Sequence, residues 1–273
     1  MISFYKVFVV FLSILLISSF ACTDTKSEIK KETKETNSIP APLPKKEYRI
    51  KIIRTFQHDK EAFTQGLIYF KGFLYESTGL NGKSSLRKLD VKTGKVIKKI
   101  NVGEKYFSEG IAIHDNKIYM LTWLNRTCFV YDLETFKLIN EFSYYGEGWG
   151  LTTFNDKLLM SDGKNIIRVI NPTNFSLDKA INILDENSPV QFINELELVD
   201  NILYANIWQS DKIAMIDINT GLVISYLDMT SLREMLPSNE GIDVLNGIAY
   251  NNDSKTFYAT GKNWPLLFEF VIE

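Results

Sequence analysis

Cysteine and histidine are scarce in this chain. Its 273 residues hold two of each, at Cys22, Cys128, His58 and His114. So few histidines argue against a multi-histidine zinc site and against a conventional Ser-His-Asp triad, and no metal-ligand set stands out. Charge of one sign is also missing. With 31 Lys and Arg against 33 Asp and Glu the net charge is −2, so neither nucleic acid nor a charge-steered surface partner is expected. The apolar run Val7–Phe20 is 14 residues, short for a membrane helix. It follows a lone Lys6 and ends in small residues at Cys22, the layout of an export signal over 1–21. Small residues running directly into a cysteine resemble a bacterial lipoprotein site, although Ser19 stands where a larger aliphatic residue is commoner. The expectation is an exported protein, lipid-anchored through Cys22 in the bacterial cell envelope, periplasm or outer membrane. Cys128 is then the only other cysteine, which leaves no disulfide framework. Its setting in TCFVYDL marks it as a small buried hydrophobe.

What is abundant is repetition. After a charged, then Pro-rich stretch over 22–46, which has almost nothing to bury and reads as a disordered tether, residues 47–273 alternate apolar and polar runs cut by Asn, Asp and Gly turns. Five copies of one unit can be aligned: Gln65-GLIYFKGFLYEST-Gly79, Glu109-GIAIHDNKIYMLT-Trp123, Trp149-GLTTFNDKLLMSD-Gly163, Asn194-ELELVDNILYANI-Trp208 and Asn246-GIAYNNDSKTFYATG-Lys262. The leading residues are spaced 44, 40, 45 and 52 apart, as expected if each unit is one four-stranded propeller blade. The predicted fold is an all-β, five-bladed β-propeller. The fifth copy lacks an edge strand after LLFEFVIE, and YRIKIIRTFQ at 48–57 is the candidate to supply it, closing the ring between the N-terminal strand and the last blade.

Such a ring gathers the leading residues at one end of the channel. Antiparallel pairing returns the second register, Gly79, Trp123, Gly163, Trp208 and Lys262, to the same rim. One carboxylate, three amides, three tryptophans and a lysine are therefore expected to face a single cavity. Any one tryptophan alone would read as core packing; three in equivalent register beside an acid favour a pocket. Phe63 and Phe107, two residues before Gln65 and Glu109, are core caps or pocket walls. Glu109 could be a solvated rim acid, but a place near indoles raises a carboxyl pKa and suits proton transfer. Glu195 and Glu197 point into a register held elsewhere by Gly or Ala and are assigned to structural hydrogen bonds. Asp90, Asp132, Asp162, Asp200 and Asp217 mostly read as turn residues; the alternative is a structural divalent cation in the channel.

The strings FTQGL, YESTG, FSEGI, LTW, EGWGL, SDG, INELE, ANIW, LNGIAY and TGKNWP, in this order from residue 63 to 265, resemble the plant and bacterial type of glutaminyl-peptide cyclotransferase. That family consists of five-bladed propellers that convert an N-terminal glutamine to pyroglutamate and release ammonia. The resemblance implies Glu109 as the catalytic acid/base and Phe63, Gln65, Phe107, Trp123, Trp149, Asn194, Trp208 and Lys262 as substrate-binding residues. It implies peptides or proteins with N-terminal Gln as partners and no required cofactor. The alternatives from other classes are a non-catalytic propeller lipoprotein that binds peptides or scaffolds an envelope complex, and a metal-dependent lactonase or quinone-dependent dehydrogenase. The last two need ligands clustered around a cation, and only Glu109 is acidic among the ten rim positions.

Overall fold

The computed structural model describes residues 45–238 and 241–273; the segments expected to be an export signal and a tether, with Cys22 between them, lie outside these through residue 44. The chain begins with β1 (Ile50–Gln57). Blade one is β2 (Thr64–Phe70), β3 (Phe73–Thr78), β4 (Ser85–Asp90) and β5 (Val96–Asn101). Blade two is β6 (Ser108–His114), β7 (Lys117–Thr122), β8 (Thr127–Asp132) and β9 (Leu138–Ser143). Blade three is β10 (Leu151–Phe154), β11 (Lys157–Met160), β12 (Ile166–Ile170) and β13 (Leu177–Asn182). A short hairpin, β14 (Leu184–Asp185) and β15 (Ser188–Pro189), precedes blade four: β16 (Ile193–Val199), β17 (Ile202–Ile207), β18 (Lys212–Asp217) and β19 (Leu222–Asp228). Helix α1 (Thr230–Glu234) leads to blade five, made of β20 (Leu245–Asn251), β21 (Thr256–Gly261), β22 (Leu266–Ile272) and the returning β1. The architecture is the five-bladed propeller that the repeat predicts.

Two differences from the repeat pattern concern blade four. Its sheet has six strands, because β14 pairs with β19 and carries β15 outside it. Lys45 and Lys46, expected in the tether, are already docked there: the Lys45 ammonium pairs with Asp185 of the added hairpin, and Ser225 Oγ donates to the Lys46 carbonyl at 2.7 Å. The hairpin supplies the carboxylate that holds Lys45.

The hydrophobic runs look nearly continuous because both faces of each blade are buried. In β7, Ile118 and Met120 join the cluster shared with blade one, while Tyr119 and Leu121 join the cluster shared with blade three. A period of two thus sorts alternate residues to opposite neighbours. The result is five separate cores, one at each blade interface. Cys128 is buried in one of them, as its sequence setting suggests. At the inner hairpins, Lys71–Gly72 and Asp115–Asn116 both have two consecutive positive φ values, the primed turn that matches strand twist. Asp90, Asp132 and Asp217 each accept backbone N–H groups two or three residues on, so they serve turns. Among the described residues no group of three or more His, Cys, Asp or Glu side chains is disposed to hold a metal ion.

The axis is crowded. A Cβ on Gly110 would sit 2.5 Å from Leu151 N, and one on Gly66 would sit 2.7 Å from Ile111 N. Blade four places Glu195 at the equivalent position, and its carboxylate spans the axis, accepting from Leu67 N at 3.2 Å and Ile248 N at 2.8 Å. Glu197 Oε1 accepts from Tyr250 N at 3.0 Å. Both acids answer inner-strand N–H groups that point into the channel and have no strand to pair with, the structural role read from the sequence.

The ring closes on strands β1 and β22, paired from Ile50 opposite Ile272 to Gln57 opposite Leu266, with one register shift between Ile52 and Arg54. Just beyond β1, His58 is buried with Nδ1 2.7 Å from the Trp264 carbonyl and Nε2 3.0 Å from Glu76 Oε1. Both partners are acceptors, so both ring nitrogens donate and the ring is an imidazolium. Thr64 Oγ1 also donates to Glu76, and Arg87 lies 3.6 Å from its other oxygen. Burial alone would lower the His58 pKa, but the Glu76 charge and the bond to the Trp264 carbonyl outweigh it and raise it above 6.5. Burial would raise Glu76, and His58 and Arg87 outweigh it and hold the carboxyl below 4.5. The sign follows from linkage. The His58 contribution is complete below 6.5 and fades as pH rises through its folded pKa; the Glu76 contribution is complete above 4.5 and fades as pH falls through its own. His58→Gln is expected to lose most stability between these values, on the order of 3 kcal/mol, with a smaller loss on the alkaline side; denaturant melts across pH check this, and a pH-independent difference would refute it.

Candidate active site

Four of the five leading residues sit where their strand breaks register; the fifth, Trp149, lies just before β10, whose pairing with β11 has no shift. The pairing shifts between Thr64 and Gly66, between Ser108 and Ile111, between Ile193 and Leu196, and between Leu245 and Ile248. A bulge frees one residue from the ladder and re-aims its side chain, and the residues so treated are Gln65, Glu109, Asn194 and Asn246. Bonds across the blade seams hold the bulges. Ser77 Oγ donates to the Glu109 carbonyl at 2.5 Å, Ser161 Oγ to the Asn194 carbonyl at 2.7 Å, and Gly247 N to Asn206 Oδ1 at 3.1 Å.

Above this ring lies a cavity of about 390 Å³. Phe63, Gln65, Phe107, Glu109, Trp123, Trp149, Asn194, Trp208 and Lys262 all line it, and Gln209, Asp243 and Val244 complete the wall. The aromatic rings brace one another edge to face. Phe63 meets Phe107 at a centroid distance of 6.0 Å, Phe107 meets Trp123 at 5.6 Å, and Trp149 meets Trp208 at 5.6 Å. Two glycines of the second register make room for these rings. A Cβ on Gly79 would run into the Phe107 ring, and one on Gly163, where φ is +78°, would lie 2.8 Å from the Trp149 indole. Small residues in two blades thus leave room for two of the large rings of the site.

Asn246 departs from expectation. Instead of facing the cavity it is wholly buried in the closing seam, where Nδ2 donates to the Thr64 carbonyl at 3.0 Å and to Gln65 Oε1 at 3.2 Å. Its position adjoins blade one, so the amide finds a backbone carbonyl and orients Gln65. Asn194 does line the cavity, 2% exposed, and its side-chain oxygen has no partner among the described residues. Such an unspent buried amide is costly unless something bound satisfies it.

Glu109 is 5% exposed. Burial drives its pKa well above 4.5; Lys262 opposes the rise and Glu147 adds to it. The Lys262 ammonium is lowered by burial and partly restored by Glu109 and Asp243. It also lies 4.9 Å from the centre of the Phe63 ring. A carboxyl of raised proton affinity sharing a cavity with an ammonium of lowered affinity can exchange a proton with a bound molecule. Glu147 and Asp243 were not among the residues singled out from the sequence, since both lie in linkers between blades, outside the repeat register. Glu147 does stand two residues before Trp149 in EGWGL, a spacing that could have flagged it.

A family model described as glutamine cyclotransferase matches residues 17–272. The chain belongs to that family. A glutaminyl-peptide cyclotransferase from Arabidopsis thaliana is 38% identical over 228 residues, covering 82% of this chain and 71% of the plant protein. A crystal structure of Myxococcus xanthus glutaminyl cyclase superposes with a TM-score of 0.77 at 35% identity, covering 83% of this chain and 97% of that one. Among cyclotransferase variants, Gly163→Ala is expected to push the Trp149 ring from its place and to strain the backbone, costing about 1–3 kcal/mol. Thermal melting and a shift in tryptophan emission report the two effects, and an unchanged spectrum would show that the indole does not depend on this gap.

Proposed function

We propose that this chain is a glutaminyl-peptide cyclotransferase, closing the N-terminal glutamine of peptides and proteins to pyroglutamate with release of ammonia. The observation that carries this reading is the convergence, in one cavity, of a single deeply buried acid with the aromatic, amide and lysine side chains supplied by five different blades. The reaction needs little more. The substrate carries its own nucleophile, since its α-amine and γ-carboxamide carbon close a five-membered ring, and the entropic advantage is intramolecular once the folded rotamer is held. An α-amine with a pKa of about 8 is partly neutral near neutral pH. In our reading Trp123, Trp149, Trp208, Phe63 and Phe107 form the slot that holds the folded side chain and limits water, and their faces attract an incoming ammonium.

The amine nitrogen attacks the carboxamide carbon, a C–N bond forms, and the old C–N bond breaks as ammonia leaves. An amide nitrogen leaves only when protonated, so one group must carry a proton from the attacking amine to the leaving nitrogen. We assign that shuttle to Glu109. Its raised proton affinity supports the assignment, as does the absence of any other acid so deeply buried among the cavity residues. Asn194 and Gln65 are assigned to orienting the carboxamide and meeting the developing oxyanion. Lys262 is assigned to a peptide carbonyl or to balancing the charge on Glu109. No step of this scheme calls for a metal or organic cofactor, and a chelator is expected to leave the rate unchanged.

We infer further that the protein is exported and held to the bacterial envelope by a lipid on Cys22, a reading supported by Lys6, the Val7–Phe20 run and the small residues before the cysteine. Cys22→Ser is expected to move the protein from the membrane fraction to the soluble fraction, and unchanged fractionation would refute the anchor. For the chemistry, Glu109→Gln is expected to keep the melting transition and lower ammonia release from a Gln-peptide by roughly 10²–10⁴. Wild-type turnover in that folded variant would remove Glu109 from the mechanism.

A further inference from the structure

One carboxylate oxygen serves two of the tryptophans. Trp123 Nε1 donates to Glu147 Oε2 at 2.6 Å, and Trp149 Nε1 donates to the same atom at 2.9 Å. The indoles come from blades two and three, and Glu147 sits in the linker that joins those blades. That linker is itself strapped down. Tyr144 donates its hydroxyl to the Thr122 carbonyl, Arg168 donates to the Tyr145 carbonyl at 2.8 Å, and the same guanidinium pairs with Asp162. Gly146, with φ +82°, lets the backbone pass close beneath Arg168. A half-buried acid is thus held on a rigid loop behind the wall of the pocket.

We propose that Glu147 is a positioning residue for the cyclisation: by taking both indole N–H groups on one oxygen it fixes the ring faces that the substrate meets, and it places a second negative charge beside Glu109. The proposal rests on the cyclotransferase reading above and adds a residue to it. Three consequences follow from the chemistry. With both N–H groups spent, Trp123 and Trp149 offer the substrate only carbon, so neither can stabilise an oxyanion. A charge-assisted bond from indole to carboxylate is stronger than a neutral one, and the electron density that it pushes into the rings strengthens their attraction for an ammonium. The same charge opposes ionisation of Glu109. The groups around Glu109 are Lys262, which favours its carboxylate, and Glu147, which disfavours it; the Tyr144 phenol is also near, and Asp243 acts on Lys262.

The test uses Glu147→Gln, which keeps a carbonyl acceptor and deletes the charge, alongside Glu147→Ala, Glu109→Gln and the wild-type protein. In tryptophan emission followed against pH, the wild type is expected to show a transition that Glu109→Gln lacks and that moves to lower pH in Glu147→Gln. In kinetics on a Gln-peptide, the acid limb of kcat/KM is expected to move the same way, with kcat/KM itself falling roughly tenfold. Glu147→Ala, which frees both indoles, is expected to lose more through KM and to shift the emission maximum. The emission titration needs no turnover, so it separates this proposal from the activity. If no ammonia is released, the cyclotransferase reading fails while the transition still reports Glu147. A folded Glu147→Gln protein whose transition and acid limb coincide with those of the wild type overturns the proposal.

Discussion

The close approach of the five innermost strands is the constraint on which everything else rests. At the axis one blade's backbone lies against the next, so a side chain is excluded at Gly66 and Gly110, and the edge N–H groups have no further strand to bond. Glu195 resolves this by crossing the axis and accepting from blades one and five together. Uncompensated, each buried donor would cost about 1–3 kcal/mol. Because the inner strands cannot separate, the residues that lead them are held in a tight circle, and the floor of the cavity is as rigid as the ring.

On that floor the chemistry comes from differences between copies. The recurring features are a bulge in four of the blades and a second-register position in all five, which set where a side chain is held and leave open which side chain it is. The blades contribute unequally: blade two gives an acid and two aromatic rings, blades one and four an amide and a ring each, blade three an indole and blade five a lysine. The empty places matter as much as the filled ones, since Gly79 and Gly163 are where Phe107 and Trp149 rest. A repeat of five identical blades would have no room for its own aromatics.

This division also explains what could be read from the sequence. Blade number, the closing strand and seven of the cavity residues follow from a period, because equivalent positions in a ring share a radius and a height; Phe63 and Phe107, outside the two registers, come from the family resemblance. Asn246 satisfied the same pattern yet turned into the seam, where the Thr64 carbonyl competes for its amide. The Glu147 and Asp243 linkers carry no period, so alignment of the copies could not place them. The hairpin β14–β15 escaped for the same reason, and with it the docking of Lys45. Burial and charge at Glu109 were foreseeable from its neighbours, whereas the acid behind Trp123 required the path of a loop.

The closing strand has one more consequence. Arg49 and Glu273 exchange two backbone hydrogen bonds, of 3.0 Å and 2.8 Å, so the start of β1 and the carboxyl end of the chain lie side by side. Among the described residues, this pairing of β1 with β22 closes the ring between segments far apart in sequence. A circular permutant lacking residues 1–48 could join Arg49 to Glu273 with a short loop and open new ends at the exposed Glu186–Asn187 turn of the added hairpin. Such a protein would keep every blade while moving the point where the circle can come undone.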